Sequence, residues 1–425
     1  MHIGLDFGTT NSSIARVTGP GAVELTRFRL GDAFTESFRS LLYLERLKEA
    51  GRTTIKSWAG PEGIERYLDA DDKGRLIQSL KSFLSSRSLQ TTEIFGRRFQ
   101  LEELIAKVLR DIRSHAEKQF GSAVRGAVVG KPVRFVGAAS NEEDEYATGR
   151  LTVALHKAGF EQVAFEYEPV AAAYYYESNL DHDELIVIGD FGGGTSDFSL
   201  LRVGPSQRKL GDGPRAVLGN EGLPLAGDAF DAKIIRHLVS PALGAGSELD
   251  SNGKLLPVPN WVYFKLERWH HLSFLKSRET MNMLKSVVTQ ALEGDKLAAL
   301  VYLIEHDLGY HLHRAVQKVK IGLSRNESEV FRFIDGDVEL EAQVTRAEFE
   351  LWIAEELADV EEKVNSLLAK TGVDAKDVDM VFLTGGSSFV PAVRRIFETR
   401  FGGRKIRTGD EFTSVARGLA LRAAE

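Results

Sequence analysis

Short apolar runs alternate along the chain with longer segments of helical spacing, and this alternation predicts an α/β protein. Residues 126–130 and 184–188 have the continuous apolar character of buried strands. Residues 101–120 and 346–368 instead repeat apolar residues at the spacing of an amphipathic helix. Because strands and helices follow one another in this way, we expect sheets that are covered by helices.

Two of the apolar runs end in the same local pattern. Residues 3–12 read IGLDFGTTNS, and residues 186–197 read IVIGDFGGGTSD. Each run ends in an aspartate, Asp6 or Asp190, which is followed by phenylalanine and by a turn of glycine and hydroxyl residues. An apolar strand, a short turn and a second strand predict a β-hairpin at each position.

The tips of these two hairpins have the chemistry of phosphate-binding loops. Glycine lets backbone N–H groups converge on an anion, and the hydroxyls of Thr9, Thr10 and Thr195 add donors. The carboxylates of Asp6 and Asp190 suit hydrated magnesium. Either loop alone is equally typical of a tight turn. Because the pattern occurs twice, we expect two related halves whose loops clasp a nucleoside triphosphate.

On these loops, and on blocks that follow in order, the chain resembles the actin-like ATPases, and within them the heat-shock protein 70 family. The loops are similar to the family's phosphate-1 and phosphate-2 motifs, and residues 167–173 resemble its Asn-Glu-Pro-Thr-Ala-Ala-Ala segment. Residues 225–231 resemble its Leu-Gly-Gly-Glu-Asp-Phe-Asp turn. Residues 318–324 resemble its adenine-bordering helix, and residues 383–387 its adenosine motif. The order of the blocks separates this family from sugar kinases of the same fold.

The resemblance implies a two-lobed actin-like ATPase fold, built from duplicated ribonuclease H-like domains with helical and β insertions. Lobe I would comprise residues 1–183 and 404–425, and lobe II residues 184–403. Residues 244–293 have no counterpart in the family, and we expect an insertion there that packs rather than binds a partner. The sequence ends at Glu425, where the family continues into a peptide-binding domain, so we expect no such domain here.

The resemblance also implies a role for each site residue. Thr195, Glu168 and Asp190 would be catalytic, and Thr195 and Glu168 would orient the attacking water. Asp6, Glu168, Asp190 and Asp197 would surround magnesium and its waters. Phosphoryl transfer to water needs mainly positioning and charge neutralisation, which such a set supplies. The implied nucleotide-binding residues are Gly8, Thr9, Thr10, Asn11, Gly192, Gly193, Gly194, Thr195, Gly227, Gln317, Lys320, Ser324, Gly385, Gly386, Ser387 and Phe389.

Two positions depart from the family pattern. The family places a lysine near the γ-phosphate, upstream of the segment that residues 80–84 resemble, and we find no lysine in register there. Arg66 is the nearest cation by spacing, with Lys56 and Lys73 as alternatives, and solvated side chains are the simpler interpretation of all three. Phe389 stands where the family has an adenine-stacking arginine, so it can stack on a purine but brings no charge.

Composition limits the classes of site, partner and cellular location that the protein can have. The chain has 425 residues and 43% hydrophobic content, enough for two large cores. It has no cysteine, which excludes disulfides and thiolate metal sites. The net charge of -7 argues against general nucleic-acid binding. Because the start is not leader-like and no apolar run is long enough to span a membrane, we expect a cytoplasmic protein without a membrane segment.

The sequence therefore predicts an ATP-binding, slowly ATP-hydrolysing, chaperone-like protein with ATP or ADP and Mg²⁺ as cofactors. Two alternatives stay open. One is a nucleotide sensor or adaptor that does not hydrolyse ATP, and the other is a small-molecule kinase of the same fold. Expected partners are the nucleotide and a client protein or co-chaperone that binds through a partner chain.

Overall fold

The computed structural model describes most of the chain, and Lys73, one of the predicted cations, lies outside the described residues. No helix of the described part is both long enough and apolar enough to cross a membrane. The described residues are 1–19, 21–49, 52–70, 74–177, 180–208, 217–268, 272, 275–336, 338–408 and 414–424.

The strands of the described residues, in chain order, are β1 (His2–Phe7), β2 (Asn11–Gly19), β3 (Ala22–Leu25), β4 (Phe28–Leu30), β5 (Ala33–Thr35), β6 (Phe38–Arg39), β7 (Leu41–Glu49), β8 (Arg52–Ala59), β9 (Arg75–Gln78), β10 (Thr91–Ile94), β11 (Arg97–Gln100), β12 (Gly126–Lys131), β13 (Gln162–Tyr167), β14 (Glu184–Phe191), β15 (Ser196–Val203), β16 (Val217–Leu223), β17 (Glu248–Ser251), β18 (Lys254–Pro257), β19 (Ser328–Asp335), β20 (Val338–Thr345), β21 (Met380–Thr384) and β22 (Ile406–Thr408).

The α-helices are α1 (Gly60–Asp69), α2 (Leu101–Phe120), α3 (Asn141–Ala158), α4 (Glu168–Glu177), α5 (Pro205–Arg208), α6 (Gly227–Ile234), α7 (Ser240–Ala242), α8 (Trp261–Leu266), α9 (Arg278–Gln290), α10 (Gly294–Glu305), α11 (Gly309–Leu323), α12 (Arg346–Trp352), α13 (Ala354–Thr371), α14 (Pro391–Phe401) and α15 (Ser414–Ala424). Short 3₁₀ segments lie at Leu80–Phe83, Ala375–Asp377, Gly386–Phe389 and Gly403–Lys405, and a π-helical turn lies at Ile235–Val239.

Two sheets repeat one topology. The first has the order β13-β12-β1-β2-β3, with β6 also paired to β2, and the second has the order β22-β21-β14-β15-β16. In each sheet the central strand, β1 or β14, pairs in parallel with one neighbour and antiparallel with the other. The outer pairs follow the same pattern of parallel and antiparallel strands. This repetition confirms the predicted duplication.

The central strands read as continuous apolar runs because both of their faces are covered. Three consecutive residues of β1 and five consecutive residues of β14 are buried. The predicted strands at residues 126–130 and 184–188 are confirmed in β12 and β14.

Helices α4 and α15 pack together and against the sheets. A Cβ added to Gly4 of β1 would lie 2.1 Å from the backbone nitrogen of Ala420, so glycine lets α15 approach the first sheet closely. Residues of α4 share a hydrophobic cluster with Ile186 of β14 in the second sheet. Where the helices meet, a Cβ on Gly418 would lie 1.6 Å from the carbonyl oxygen of Ala171. Backbone therefore contacts backbone at this crossing.

The chain divides into two compact units. The first comprises Met1–Gly227, Ala358–Ser388 and Val393–Glu425, and the second comprises Asp228–Leu357 and Phe389–Ala392. Both repeated sheets belong to the first unit. This division by compactness differs from the predicted lobes, 1–183 with 404–425 and 184–403. Those lobes stay a prediction about which parts move together.

The predicted insertion, residues 244–293, folds within the second unit. It contains the β17–β18 hairpin, α8 and α9, and Leu249 of β17 bridges to Ala291. Val262 and Leu266 of α8 are buried. The region therefore contributes buried apolar residues to the second unit, as expected for packing. It also exposes Leu255, Leu256, Trp261, Phe264 and Leu292.

Both segments with helical apolar spacing form helices. The predicted helix 101–120 is confirmed as α2. Residues 346–368 form two consecutive helices, because α12 ends at Trp352 and α13 begins at Ala354. Between them Ile353 is fully buried and leaves the helical conformation, with φ -97° and ψ 13°. Apolar spacing alone does not reveal this break, since it continues through both helices.

Candidate functional site

The two glycine loops are hairpin tips in the same register. In the first hairpin Asp6 of β1 faces Ser13 of β2, and in the second Asp190 of β14 faces Asp197 of β15. In each hairpin the next residue of the first strand is a buried phenylalanine. Four residues separate each phenylalanine from the serine that it pairs with, Ser12 or Ser196, so the hairpin prediction is confirmed at both positions.

The first loop, residues 8–11, is closed tightly on itself. A Cβ on Gly8 would lie 2.1 Å from the carbonyl oxygen of Asn11, so this turn requires glycine. The Asn11 side-chain oxygen accepts a hydrogen bond from Arg39 at 3.4 Å. Among the described residues, no group hydrogen bonds to the buried hydroxyl of Thr10. A buried hydroxyl without a partner is costly and is suited to a ligand oxygen.

The second loop, residues 192–195, faces the first. Gly192 donates its N–H to the carbonyl oxygen of Thr195 at 2.9 Å, which closes the turn around Gly193 and Gly194. A Cβ on Gly194 would lie 3.6 Å from Thr9 Oγ1 of the first loop. The structure therefore brings the two predicted phosphate loops together.

Residues at the end of β21 and after β16 contact the second hairpin. Thr384, at the end of β21, donates from Oγ1 to Asp190 Oδ1 at 2.7 Å. Gly385 has a φ of +82°, and a Cβ there would lie 2.0 Å from the carbonyl oxygen of Phe191. Gly227, at the start of α6, donates its N–H to Gly192 at 3.3 Å. The structure thus places the predicted Gly227 and Gly385 at this hairpin, and Gly386 and Ser387 follow directly after Gly385.

A buried ion pair lies beside the loops. Lys81 Nζ is 2.6 Å from Glu168 Oε1, and the two residues are only 6% and 7% exposed. Glu168 is the first residue of α4, and Lys81 lies in the Leu80–Phe83 turn. Asp197 accepts a hydrogen bond from the backbone N–H of Val133 at 2.9 Å and another from the side chain of Thr195. Four carboxylates and one lysine therefore form a single electrostatic group.

Three carboxylates of this group, those of Asp6, Asp190 and Asp197, have raised pKa values. Burial raises the pKa of Asp6 well above its ordinary value, and the charge of Glu168 raises it further. Burial and Glu168 raise the pKa of Asp190 to about 6, and burial, Glu168 and Asp190 raise that of Asp197. Burial alone would lower the pKa of Lys81, but Glu168 and Asp6 more than offset it and leave it raised. The single positive charge of Lys81 is therefore too small to balance the carboxylates around it.

This shortage of positive charge fits a divalent cation. Asp6, Asp190 and Asp197 have raised pKa values that a nearby cation would lower again. Within the part of the chain that the structure describes, no three acidic or histidine side chains are close enough together to hold a metal ion directly. Magnesium keeps several waters when it binds to proteins, so a hydrated ion suits this spacing.

Lys81 lies beside the predicted phosphate loops and is not among the cations predicted from the sequence. Those cations all precede residues 80–84, although Lys81 lies within this segment. Arg66 is exposed and stacks on Trp58, with its guanidinium carbon 4.5 Å from the ring centre, and Lys56 is exposed on β8. The prediction that either one serves the site has no support in the structure. A signal was available, because a lone lysine among Leu80, Phe83 and Leu84 is typical of a buried charge with a partner.

Four of the predicted adenosine residues, Gln317, Lys320, Ser324 and Phe389, lie in the second compact unit. Gln317 and Lys320 of α11 and Ser324 just after it are spaced by three and four residues, so they share one side of the helix. Lys320 Nζ is 2.6 Å from Asp231 Oδ1 of α6. Phe389 is 47% exposed. The structure gathers three of these residues on one surface, and their contact with adenosine stays a prediction.

Comparison with known proteins gives the family. The model of a family described as "Hsp70 protein" matches residues 72–254 and 305–424. Between the two matched stretches, the unmatched residues 255–304 overlap the predicted insertion at 244–293, and residues 1–71, which include the first hairpin, also lie outside the match. The "Chaperone protein dnaK" of Guillardia theta is 25% identical over 99% of this chain. The chain spans 59% of the length of that relative.

The matched residues make up well over half of the chain. They include the second hairpin, the Lys81 turn and the Thr384 strand end. The duplicated sheets agree with the fold that the resemblance implied. The chain has the actin-like ATPase fold and belongs to the Hsp70 family of chaperones.

Proposed function

We propose that this chain binds MgATP, with the phosphates between the two hairpin loops, and hydrolyses it slowly to ADP and phosphate. One observation carries the proposal: the two loops, held in equivalent registers, meet at Thr9 and Gly194 beside the buried Lys81–Glu168 pair. Phosphate needs converging donors, and phosphoryl transfer needs cations and a positioned water. These features supply the donors, one cation and two polar groups for the water.

Each loop contributes a different kind of phosphate contact. The hydroxyls of Thr9 and Thr10 are donors in the first loop, and the unpartnered hydroxyl of Thr10 suits a phosphate oxygen. In the second loop the glycines leave backbone N–H groups uncovered by side chains. Asp6 and Asp190 would hold magnesium through its waters, and Glu168 and Asp197 would complete its surroundings. When bound, the ion neutralises negative charge on the phosphates.

For hydrolysis, Lys81 and Glu168 act as a unit. The family places a lysine near the γ-phosphate, and Lys81 is the buried cation beside both loops. A cation in a buried site stabilises charge that develops on the transferred phosphoryl group. Glu168 orients Lys81 through Oε1, and we assign its other oxygen, Oε2, to the attacking water. Thr195, whose hydroxyl bonds to Asp197, is the second group that orients this water.

We assign the adenosine to Gln317, Lys320 and Ser324, together with the backbone of Gly385 and Gly386, Ser387 and the ring of Phe389. A ring at Phe389 stacks on adenine without adding charge. The sensor alternative rested on the absence of a lysine from the phosphate site. Because Lys81 lies in the acidic group, hydrolysis is now the better-supported function.

The output of the cycle would be a change in the population of lobe arrangements, as ATP and ADP stabilise different ones. A client protein or co-chaperone in the cytoplasm would then respond to the bound nucleotide. These partners are proposed from the family, since the chain spans only 59% of the relative's length.

A single-turnover assay with γ-labelled ATP tests the function. We expect hydrolysis well below the ~1 per second that is common among enzymes, and no transfer of label to added sugars. Thr195→Ala should slow the release of phosphate further and leave ATP affinity nearly unchanged, because Thr195 is assigned to the water. Wild-type turnover in that variant would contradict the assignment of Thr195, and label on a sugar would favour the kinase alternative.

A further inference from the structure

The segment that carries Lys81 is held from outside the site by one buried arginine. Arg150 lies on α3 and is 6% exposed. Its Nη1 donates to the carbonyl oxygens of Phe83 at 3.2 Å, Leu84 at 3.3 Å and Ser86 at 3.0 Å. Its Nη2 donates to the carbonyl oxygen of Leu89 at 3.1 Å. One side chain therefore binds four backbone carbonyls of a single segment.

These carbonyls lie at and beyond the end of the Leu80–Phe83 turn. The last carbonyls of a helical turn have no partner within it, and they carry partial negative charge. A guanidinium satisfies several of them at once because its donors are fixed in one plane. Glu102 of α2 pairs with Nε of Arg150 and balances its charge. Arg150 is thus fixed on one side and binds the turn on the other.

A second set of contacts joins the same segment to the phosphate loops. Ser85 Oγ donates to the carbonyl oxygen of Val136 at 2.5 Å. A Cβ on Gly194 of the second loop would lie 3.4 Å from Ser82 Oγ. Residues 82–89 therefore lie between Arg150 on one side and Val136 and the second loop on the other, and we expect a shift of these residues to move Lys81 relative to Glu168.

We propose that Arg150 is a positioning residue for Lys81. It acts through the backbone carbonyls of residues 83–89. Its hydrogen bonds and ion pair in the described residues do not involve Glu168 or the hairpin loops. The kinetic consequence rests on the proposed ATP hydrolysis, whereas the structural consequence does not. A merely structural arginine would stabilise the packing of α2 on α3 without a specific link to Lys81.

The structural consequence is tested by hydrogen–deuterium exchange on the full chain. In Arg150→Lys most of the carbonyl bonds are lost, so exchange of the amides in residues 80–89 should accelerate roughly tenfold or more. The matched control is Arg110→Lys, which removes an exposed guanidinium bond from α2 to the carbonyl oxygen of Lys157 in α3, outside residues 80–89. That control should exchange like wild type. Unchanged exchange of residues 80–89 in Arg150→Lys would overturn the proposal.

Glu102→Gln provides a milder test if Arg150→Lys folds poorly. It keeps the guanidinium and its carbonyl bonds but removes the balancing charge. Exchange should then rise in the same residues by a smaller factor. An increase spread evenly over α2 and α3 would indicate a general packing role and would also overturn the proposal.

The kinetic consequence is tested by a double-mutant cycle on single-turnover hydrolysis. Arg150→Lys should slow hydrolysis by roughly tenfold while ATP affinity stays within about twofold, because positioning lost around Lys81 affects the reaction more than binding. In a Lys81→Met background the same change should slow hydrolysis no further. Multiplied effects would show that Arg150 does not act through Lys81. If wild type hydrolyses no ATP, the proposed function fails, and the exchange experiment still decides the role of Arg150.

Discussion

The β1–β2 and β14–β15 hairpins have the same register, with Asp6 opposite Ser13 in one and Asp190 opposite Asp197 in the other. The first hairpin therefore carries one acid at this level and the second carries two. The loops differ too. The first loop has the hydroxyl residues Thr9 and Thr10 at the positions where the second loop has Gly193 and Gly194. The duplicated backbone has thus acquired two different sets of chemical groups.

The difference extends to the neighbours of each acid. Asp190 accepts a hydrogen bond from Thr384, and Asp197 accepts one from Val133. Lys81 offsets part of the repulsion on Asp6. Repeating a hairpin therefore fixes where the aspartates lie, whereas residues from elsewhere in the chain determine how each is charged and held. The predictions below test this comparison, beginning with the largest expected effect.

Replacement of Lys81 by methionine should have the largest effect. It removes the cation beside both hairpins and leaves Glu168 buried without its partner. Hydrolysis in a single turnover should fall by roughly 100-fold or more, by analogy with the loss of one charge-stabilising donor. The free energy of unfolding should fall by about 3 kcal/mol. Arg66→Met is the control, and it should retain wild-type hydrolysis because Arg66 stacks on Trp58 instead.

If Lys81→Met hydrolysed ATP at the wild-type rate, the buried pair would have no part in catalysis. A comparable loss in Arg66→Met would instead assign the role to Arg66, the nearest predicted cation by spacing.

The free energy of unfolding of the metal-free protein should depend on pH through Asp190 of the second hairpin. Because the pKa of Asp190 is raised to about 6 in the folded state, the folded protein retains a proton that the unfolded chain releases near pH 4. Stability should therefore fall as pH rises from about 4 to about 6, and stay lower above that range. The difference should be about 3 kcal/mol for Asp190.

Denaturant unfolding at a series of pH values in EDTA measures this slope. Asp190→Asn should flatten it and stabilise the protein at neutral pH, since it removes the repulsion from Glu168. Asp374→Asn is the control, because the pKa of this exposed residue is lowered instead. A slope that survives Asp190→Asn unchanged would mean that other groups of the cluster carry it.

Thr384→Val should have a moderate effect that is confined to the second hairpin. It removes the hydrogen bond to Asp190 and so raises the pKa of this acid further. Magnesium-dependent ATP affinity should weaken by about 1.5 kcal/mol, or roughly tenfold. Thr18→Val in β2, where the hydroxyl bonds to the exposed Ala22 carbonyl, is the matched control for the first hairpin. Equal affinity losses in both variants would remove the distinction between the hairpins.

Gly194→Ala should have the smallest effect on folding. The added Cβ would lie 3.0 Å from Val136 Cγ2, a tight contact that a small side-chain shift relieves. Unfolding free energy should change by less than about 1 kcal/mol. ATP affinity should fall a few-fold, because the methyl group occupies space beside Thr9. Gly19→Ala, which meets no atom within 4 Å, should change neither property.

The sequence predicts those structural elements that depend on residues close together in the chain. Both hairpins and α2 follow from local patterns, and the structure has them where predicted. Lys81 was missed because its partner Glu168 is 87 residues away, and no local pattern joins the two. Arg150 was equally hidden, since its partners are mostly backbone carbonyls that no side-chain motif reveals. Apolar spacing continues through Ile353 and therefore does not locate the end of α12 there.

The central claim is that the two loops together bind one nucleoside triphosphate and its magnesium ion. Isothermal titration calorimetry with MgATP, and with ATP in EDTA, tests it most directly on wild type, Asp6→Asn and Asp190→Asn. The account predicts one site in wild type, weaker binding without magnesium, and at least roughly tenfold loss of MgATP affinity in each variant. Wild-type MgATP affinity in either variant would contradict it, because one hairpin would then bind nucleotide without the other.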